Sequence, residues 1–237
     1  MSEKYWAVVP AAGKGTRMGM AMPKQYLELA GKPVIAHTLE RLLAHPQMSG
    51  AVVALSPDDP IWPTLNIQTP KPIYSTLGGD ERYFSVFNAL KQLSASGAHE
   101  HDWVLVHDAA RPCVRASDVT KLIASVAQDD NGGLLGVPVS DTLKRCDDTG
   151  KIFDTVDRKA LWRALTPQMF KLHLLRLALQ NVIQQNLNVT DDAAAMELLG
   201  YHPQMVEGHA DNIKITRAED LKLAILYLEM QGDELCA

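Results

Sequence analysis

The stretch of sequence that decides the fold covers residues 6–25 and reads WAVVPAAGKGTRMGMAMPKQ. Its first four residues, WAVV, form an apolar run of the length that suits one buried strand. Pro10 follows the run, and because proline has no N–H to donate to a neighbouring strand, it predicts the end of that strand. The stretch therefore begins with a buried strand that ends at residue 10.

The residues after this strand are typical of a phosphate-binding turn. They read AAGKGTR, and small residues with two glycines allow backbone N–H groups to approach an anion closely. Arg17 and Lys24 add fixed positive charge on either side of the turn. The string of a P-loop is absent, and Met18 stands where a dinucleotide-binding motif requires its third glycine. The pattern predicts a phosphate site on the first strand of an α/β sheet.

The composition of the chain limits the classes of protein to which it can belong. The chain has 237 residues, 46% of them hydrophobic, and a formal net charge of -5 at pH 7. This length suits one domain over residues 1–237. A mildly acidic chain argues against a broad nucleic-acid-binding surface, although a local cluster of Arg and Lys can still bind a small anion.

The cysteines and the apolar segments exclude several other classes. Cys113, Cys146 and Cys236 are far apart, so they predict neither a disulfide framework nor a zinc site. The apolar run near the N-terminus is too short for a signal peptide, and no segment approaches the ~20 apolar residues of a membrane span. We therefore expect a protein of the cytoplasm that does not act at a membrane.

Apolar periodicity predicts alternating strands and helices. Strands are predicted at residues 51–55, 73–75, 103–106, 133–138 and 204–207, and helices at 34–43, 82–93, 171–185 and 218–230. Ser117 is expected to cap a helix that ends at residue 128, and Thr190 to cap one over 191–199. Alternating strands and helices imply right-handed crossovers, and thus a Rossmann-like three-layer sandwich with a mostly parallel sheet.

One segment departs from this alternation. Residues 141–157 are more polar, lack a helical period and contain the turn signal DDTG. They predict a β-hairpin, LKRC followed by IFDTV, that protrudes as an arm inserted at about residues 140–158. An ordinary surface hairpin is the alternative, although an arm with little core of its own would be only marginally stable alone.

Eight motifs identify a family, because they occur in its order over nearly the whole chain. They are PAAGKGTRM with PKQ, GGDERxxS, VHDAARP, PVSDTLK, TVDR, LTPQ, TDDA and DNIKIT. Together they resemble the 2-C-methyl-D-erythritol 4-phosphate cytidylyltransferase family of the nucleotidyltransferase superfamily. The resemblance implies transfer of a cytidylyl group from CTP to methylerythritol phosphate in the non-mevalonate isoprenoid pathway. It also implies Mg²⁺ as cofactor and a homodimer formed through the arm.

The resemblance assigns the basic residues to the two phosphate-bearing substrates. Arg17 and Lys24 would stabilise the extra negative charge on the transferring phosphoryl group. Arg158 and Lys214 would hold the methylerythritol phosphate for attack. The other predicted contacts of this substrate are Asp108, Arg111, Thr142, Thr166 and Thr190. An ion pair of Arg158 with Asp154 or Asp157 is the alternative.

Two aspartates are the candidate ligands of the metal. Mg²⁺ prefers hard oxygen ligands and usually takes one or two carboxylates with substrate phosphates. Asp108 follows a buried strand, where open α/β sheets bind ligands, and Asp211 opens the DNIKIT motif. A cap or an ion pair with Arg111 remains the alternative for Asp108, and a structural turn is the alternative for Asp211.

The first loop and the GGDERxxS motif are expected to bind the nucleotide. The predicted contacts are Pro10, Ala11, Ala12, Gly13, Gly79, Asp80, Ser85 and Ala109. Asp80 could instead cap the following helix, and His107 is expected to face the core, because successive strand residues point to opposite faces. A ribitol-5-phosphate cytidylyltransferase and a non-catalytic nucleotide-binding protein of the same fold remain the alternative functions.

Overall fold

A computed structural model of the protein describes residues 3–13 and 22–234, so Arg17 and Cys236 lie outside the described residues. The strands are β1 (Tyr5–Pro10), β2 (Glu28–Leu29), β3 (Lys32–Pro33), β4 (Met48–Leu55), β5 (Ile73–Leu77), β6 (Trp103–Val106), β7 (Gly133–Pro138), β8 (Leu143–Cys146), β9 (Ile152–Val156), β10 (Trp162–Lys171) and β11 (Gln204–Glu207). The helices are α1 (Val34–Ala44), α2 (Arg82–Ala95), α3 (Ala116–Val126), α4 (Leu172–Gln184), α5 (Asp192–Glu197) and α6 (Ala218–Glu234).

The strand predicted from WAVV lies near the middle of a seven-stranded sheet. The strand order is β11-β7-β10-β6-β1-β4-β5. Val8 of β1 is opposite Val52 of β4 on one side and Val106 of β6 on the other, and both pairings are parallel. The predicted mostly parallel α/β sheet is confirmed.

Strand β10 is the one strand of this sheet that the sequence did not predict, and it runs antiparallel to both neighbours. Its sequence, WRALTPQMFK, lacks a clean alternation and contains Pro167, a residue that argues against a central strand. The proline is accommodated because the pairing with β7 shifts register between Ala164 and Gln168. The LTPQ motif thus lies within this strand, and its polar residues and proline hide the strand from an analysis of apolar periodicity.

The sheet is covered by helices on both faces. Ala7 and Val9 belong to the core that contains α1 and α3, whereas Trp6 and Val8 belong to the core that contains α2, α4 and α5. This division follows from the alternation of side chains along β1. The predicted three-layer sandwich is confirmed.

A third, smaller core lies under α6. Ala224 of this helix is buried with Leu29, Val34 and Cys113. Cys113 is a buried apolar residue here, as expected for a cysteine without a nearby base. No helix among the described ranges is long and apolar enough to cross a membrane.

Two predicted helix caps are wrong. Ser117 lies inside α3, which begins at Ala116 with Arg115 in the cap position. At α5 the cap is Asp191 rather than Thr190, since the Asp191 carboxylate accepts a hydrogen bond from the Ala194 N–H at 2.9 Å. An ionised carboxylate is a stronger acceptor for a helix N-terminus than a hydroxyl.

The predicted hairpin is confirmed as strands β8 and β9, which form a separate two-stranded sheet. Its turn contains Gly150 at φ +81°, a conformation that favours glycine. Phe153 and Ile152 are 77% and 64% exposed, so the hairpin has almost no core of its own within one chain. We use the name arm for β8, β9 and the residues 140–158 that contain them.

Candidate active site

A cavity of about 700 Å³ opens at the carboxyl edge of the parallel strands. It is lined by residues 10–13 after β1, 56–57 after β4, 78–82 after β5 and 108–110 after β6, with further contributions from Lys24 and Lys214. Open α/β sheets bind ligands at this edge, because loops from several strands meet there. The position agrees with the expected phosphate site.

The structure brings most of the predicted nucleotide and phosphate contacts to this cavity. Those that line it are Pro10, Ala11, Ala12, Gly13, Lys24, Gly79, Asp80, Ser85, Asp108, Ala109 and Lys214. Six predicted residues are not among its lining: Arg111, Thr142, Arg158, Thr166, Thr190 and Asp211. The first group comes from loops at the sheet edge, and the second lies beneath the cavity or away from it.

The loop after β1 is fixed by two hydrogen bonds to its own backbone. The Ala11 N–H donates to the Ala54 carbonyl at 2.7 Å, and the buried Gln25 side chain donates to the Ala11 carbonyl at the same distance. Gln25 was not predicted as a site residue, although it ends the PKQ motif. Its role is to hold the start of the loop against β4.

The loop after β5 packs against the first loop at a distance that only glycine permits. A Cβ added to Gly78 would lie 2.3 Å from the Ala12 Cβ and 2.8 Å from the Ser85 Oγ. Ser85 Oγ also accepts a hydrogen bond from the Gly79 N–H at 3.1 Å. Asp80 is not the cap of α2, because Glu81 occupies that position, and Asp80 lines the cavity instead.

Asp108 forms the floor of the cavity and is contacted by three cations. Lys214 Nζ and Arg111 Nε lie 3.0 and 3.2 Å from its Oδ2, and Arg82 Nε lies 3.4 Å from its Oδ1. Burial raises the pKa of the Asp108 carboxyl, but the three cations outweigh burial and hold the pKa well below its usual range. Asp108 is therefore ionised. It forms the alternative ion pair with Arg111 and also lines the cavity.

Arg82 is a site residue that the sequence analysis assigned only to a helix. It lines the cavity, and its Nη1 lies 2.8 Å from Oδ2 of the fully buried Asp192. Burial lowers the pKa of the guanidinium, but Asp192 and then Asp108 outweigh it and raise the pKa above its usual range. The signal was present, because Arg82 is the arginine of GGDERxxS, while the carboxylate that pairs with it comes from the distant TDDA motif.

Thr166 supports Asp108 from beneath and does not face the cavity. Its Oγ1 accepts a hydrogen bond from the Asp108 N–H at 3.1 Å and lies 3.0 Å from His107 Nδ1. Burial lowers the pKa of His107 to about 4, so the imidazole is neutral near pH 7. The expectation of a core histidine is confirmed, whereas the Thr166 hydroxyl is already engaged inside the protein.

Asp211 pairs with side chains outside the cavity lining, whereas Asp108 lines the cavity. Its Oδ2 accepts hydrogen bonds from Arg115 Nη2 at 2.6 Å and from Gln231 Nε2 at 2.8 Å, so this oxygen is already occupied within the protein. No group of three His, Cys, Asp or Glu side chains that could hold a metal occurs within residues 3–13 and 22–234. Asp108 lines the cavity and Asp211 does not, so the role of both as metal ligands stays a prediction, and the turn alternative for Asp211 agrees with the geometry.

The segment that contains Asp211 nevertheless positions a cavity residue. The buried Asn212 donates to the Thr166 carbonyl at 2.8 Å, and its own carbonyl accepts a hydrogen bond from Arg111 at 2.7 Å. The Ile215 N–H then donates to the Ala110 carbonyl at 2.8 Å. These bonds fix the backbone on both sides of Lys214 and direct its side chain to Asp108.

The remaining predicted acceptor contacts lie on exposed segments. Thr142 precedes β8, and Arg158 follows β9, where its guanidinium donates to the Ser140 carbonyl. Asp154, which could have paired with Arg158, pairs with Arg145 at 3.2 Å. Thr190 is exposed before the cap of α5. Within one chain these residues are not gathered at the cavity.

Comparison with known proteins agrees with this architecture. The family model of IspD, 2-C-methyl-D-erythritol 4-phosphate cytidylyltransferase, matches residues 5–230. The protein of that name from Pseudomonas putida (strain GB-1) is 51% identical over 218 residues, which cover 92% of this chain and 93% of the relative. The one from Pseudomonas fluorescens (strain SBW25) is 51% identical over 225 residues, which cover 94% of this chain and 96% of the relative.

Solved structures of the same family have the same fold. A crystal structure of 4-diphosphocytidyl-2C-methyl-D-erythritol synthase matches with a TM-score of 0.84 at 37% identity, over 96% of this chain and 100% of the other. The 2-C-methyl-D-erythritol 4-phosphate cytidylyltransferase of Francisella tularensis matches with a TM-score of 0.81 at 33% identity, over 95% of this chain and 100% of the other. The site at the sheet edge and these two kinds of similarity lead to one conclusion: the chain belongs to the 2-C-methyl-D-erythritol 4-phosphate cytidylyltransferase family.

Proposed function

We propose that the cavity binds the triphosphate of CTP next to the phosphate of the acceptor, and that Lys24, Asp108 and Lys214 act on these groups. The protein is a CTP-dependent cytidylyltransferase of isoprenoid biosynthesis, as its family shows. It transfers the cytidylyl group of CTP to 2-C-methyl-D-erythritol 4-phosphate and releases pyrophosphate. The observation that carries the assignment of residues is the convergence of three cations on one ionised carboxylate at the cavity floor.

The reaction joins two anions, so the protein must supply positive charge and alignment. An oxygen of the acceptor phosphate attacks the α-phosphorus of CTP, the bond from that phosphorus to the bridging oxygen breaks, and pyrophosphate leaves with the electron pair. Fixed cations near the α-phosphate stabilise the additional charge that develops on its oxygens. Lys24 lines the cavity and is our candidate for this role together with Arg17, which lies outside the described residues.

Lys214 is suited to act on a substrate phosphate. Its side chain is 35% exposed and its ammonium is 3.0 Å from the Asp108 carboxylate. A lysine is a flexible point charge that can exchange one anionic partner for another. We propose that Lys214 moves from Asp108 to the acceptor phosphate when the substrates bind.

Asp108 fits the role of a single protein ligand for Mg²⁺. Mg²⁺ in nucleotide sites often takes one or two carboxylates and completes its shell with phosphate oxygens and water. The low pKa of Asp108 keeps its carboxylate ionised, and the residue lines the cavity where the phosphates would lie. Bound Mg²⁺ would neutralise part of the triphosphate charge, whereas Asp211, whose Oδ2 accepts hydrogen bonds from Arg115 and Gln231 away from the cavity lining, stays a predicted ligand without support from the geometry.

The two loops that face each other across the cavity form the proposed nucleotide contacts. Residues 10–13 and Ala109 would lie against the ribose and phosphates, and Gly79, Asp80 and Ser85 would lie near the base. Backbone N–H and C=O groups in this wall can match the N4 amino donor and O2 acceptor of cytosine. The tight packing of Gly78 on Ala12 fixes the separation of the two loops.

The acceptor contacts on the arm imply a second subunit. Arg158 and Thr142 do not line the cavity of their own chain, and the arm carries the exposed apolar side chains of Phe153 and Ile152. A two-stranded hairpin is rarely stable without further packing. We therefore propose a homodimer in which each arm contributes Thr142 and Arg158 to the partner's acceptor site. Within one chain Arg111 and Thr166 support Asp108, and Thr190 stays a predicted contact.

One assay tests the function and its acceptor together. Pyrophosphate release is measured with CTP and Mg²⁺ and with either methylerythritol phosphate or ribitol 5-phosphate as acceptor. We expect release with the first acceptor alone. Release with the second acceptor alone would move the acceptor assignment and leave the nucleotide site in place. Binding of CTP without release in either mixture would contradict the proposed catalysis.

A further inference from the structure

Arg82 lies between two carboxylates, one at the cavity floor and one buried behind it. Its Nη1 is 2.8 Å from Asp192, whereas its Nε is 3.4 Å from Asp108. We infer that Asp192 is a positioning residue, which holds Arg82 back so that Oδ1 of Asp108 stays available to a divalent cation. The inference rests on the proposed function, in which Asp108 is the ligand of Mg²⁺.

The three cations around Asp108 differ in how firmly they are anchored. Arg111 is tied to the Asn212 carbonyl at 2.7 Å, and Arg82 is tied to Asp192. Lys214 is more exposed than either arginine, with 35% of its side chain accessible. Lys214 can therefore leave Oδ2 most easily, while the two arginines stay where their second partners hold them.

The two oxygens of Asp108 are not equivalent. Oδ2 is shared by Arg111 and Lys214, whereas Arg82 is the cation nearest to Oδ1 and is 3.4 Å away. This distance is long for an ion pair whose hydrogen bond is charge-assisted. Arg82 Nε already donates a long hydrogen bond to Oδ1, so a small shift of Arg82 toward Asp108 would shorten this bond and bring more positive charge to where the metal must bind.

Asp192 supplies the opposing attraction from a protected position. It is fully buried in the first turn of α5, and neither of its oxygens has an aligned hydrogen-bond donor. Arg82 Nη2 is also buried without a hydrogen-bond partner. The pair is therefore held by Coulombic attraction at short range, and Arg82 retains unused N–H groups that could turn to Asp108 if the Asp192 charge were removed.

The test compares Asp192→Asn with the wild-type protein. We expect the Mg²⁺ concentration for half-maximal pyrophosphate release to rise about tenfold, a factor typical of coupled binding events. The kcat at saturating Mg²⁺ should stay close to the wild-type value, because an excess of the metal overcomes the competing guanidinium. Calorimetric binding of CTP in EDTA should not weaken, because the released Arg82 does not repel the triphosphate.

Two further variants separate positioning from structural damage. Asp191→Asn removes a neighbouring carboxylate charge that Arg82 does not contact, and the asparagine oxygen can still accept the Ala194 N–H that caps the helix. It should leave the fold and the Mg²⁺ requirement unchanged. The double variant Arg82→Gln with Asp192→Asn removes the competing charge, so its Mg²⁺ requirement should return to the wild-type value or below it.

The outcomes that contradict the inference are specific. A wild-type Mg²⁺ requirement in Asp192→Asn, or an equal rise in Asp191→Asn, would overturn it. If Asp192→Asn does not fold, the double variant decides, since it leaves no unpaired buried charge, and a Mg²⁺ requirement above the wild-type value there contradicts the role. Asp108→Asn tests the proposed function separately, because an unchanged Mg²⁺ requirement there would show that Asp108 is not the ligand.

Discussion

The cavity floor and the arm are built in opposite ways. Asp108 is nearly buried and is held by cations that have second partners inside the same chain. The arm exposes Phe153 and Ile152, and its ion pair between Arg145 and Asp154 lies at the surface. The comparison teaches that the cavity floor is held by contacts within one chain, whereas the arm leaves its apolar side chains exposed, as the proposed nucleotide site and the proposed shared acceptor site require.

The largest expected effect is the loss of activity when a cation is removed from the cavity. Lys24→Ala removes one cation from the cavity, and we expect kcat to fall about 10²–10³-fold, as for the loss of other groups that stabilise transition-state charge. Lys32→Ala is the matched control, because it removes a lysine that does not line the cavity. Lys32 is exposed on β3, where it pairs with Glu40 of α1. Its rate of pyrophosphate release should stay within about twofold of the wild-type rate. The fold should also be little affected, because exposed ion pairs contribute about 1 kcal/mol or less to stability.

The measurement is steady-state pyrophosphate release for both lysine variants, with circular dichroism to confirm that each is folded. A folded Lys24→Ala protein with near-normal turnover would contradict the assignment. It would also weaken the contrast between the two regions, because the cavity would then tolerate loss of charge as readily as the surface.

The second expected effect is on the arm. Phe153→Asp places a charge where the proposed homodimer buries an aromatic side chain, so we expect the dimer dissociation constant to rise by about 30-fold, equivalent to a loss of ~2 kcal/mol for an interface hot spot. Analytical ultracentrifugation measures this change. The KM for methylerythritol phosphate should rise with it, while calorimetric CTP binding should not change.

Two outcomes would remove the arm from the acceptor site. A wild-type protein that is monomeric at all concentrations would exclude the exchanged arms. A dimer that dissociates in Phe153→Asp without a change in the acceptor KM would place Thr142 and Arg158 outside the site. Either result would mean that a single chain supplies both halves of the reaction.

A pair of glycines sharpens the comparison further. Gly78→Ala would force a Cβ to 2.3 Å from Ala12, and overpacking of this kind costs about 1–3 kcal/mol and should also weaken CTP binding. Gly150→Ala in the arm meets no atom within 4 Å, so its cost is the positive φ alone, roughly 1–2 kcal/mol, without an effect on CTP. Urea unfolding and calorimetry measure the two properties, and weaker CTP binding in the Gly150 variant would contradict the separation.

The sequence predicted those parts of the fold that depend on local apolar periodicity. Strand β6 and strand β11 have the predicted bounds, because each is a short apolar run or alternation with clear ends. Strand β10 was missed, since its polar motif and Pro167 interrupt the pattern, and its position is determined by pairing with distant strands. Periodicity reports what one segment buries and contains no information about which neighbour it joins.

The site shows the same limit. Motif resemblance located the loops that line the cavity, because three of the motifs directly follow β1, β5 and β6 at the same sheet edge. It could not give the pairings between motifs, so the contact of Asp211 with Arg115 and the bridge from Arg82 to Asp192 were both missed. These pairings depend on side chains far apart in sequence, which only the folded chain brings together.

The smallest expected effect compares two ion pairs of the same chemical type. Arg145→Gln on the arm breaks an exposed pair with Asp154, and such pairs contribute about 0–1 kcal/mol to stability. Arg82 pairs with a fully buried carboxylate, and loss of one partner from a buried pair costs about 3–5 kcal/mol. Urea unfolding of Arg145→Gln should therefore give a midpoint close to that of the wild-type protein, with unchanged CTP binding. A large loss of stability in this variant would show that Arg145 and Asp154 are buried against another protein surface in solution. The arm would then be as firmly packed as the cavity floor, and the contrast between the two regions would hold only for the isolated chain.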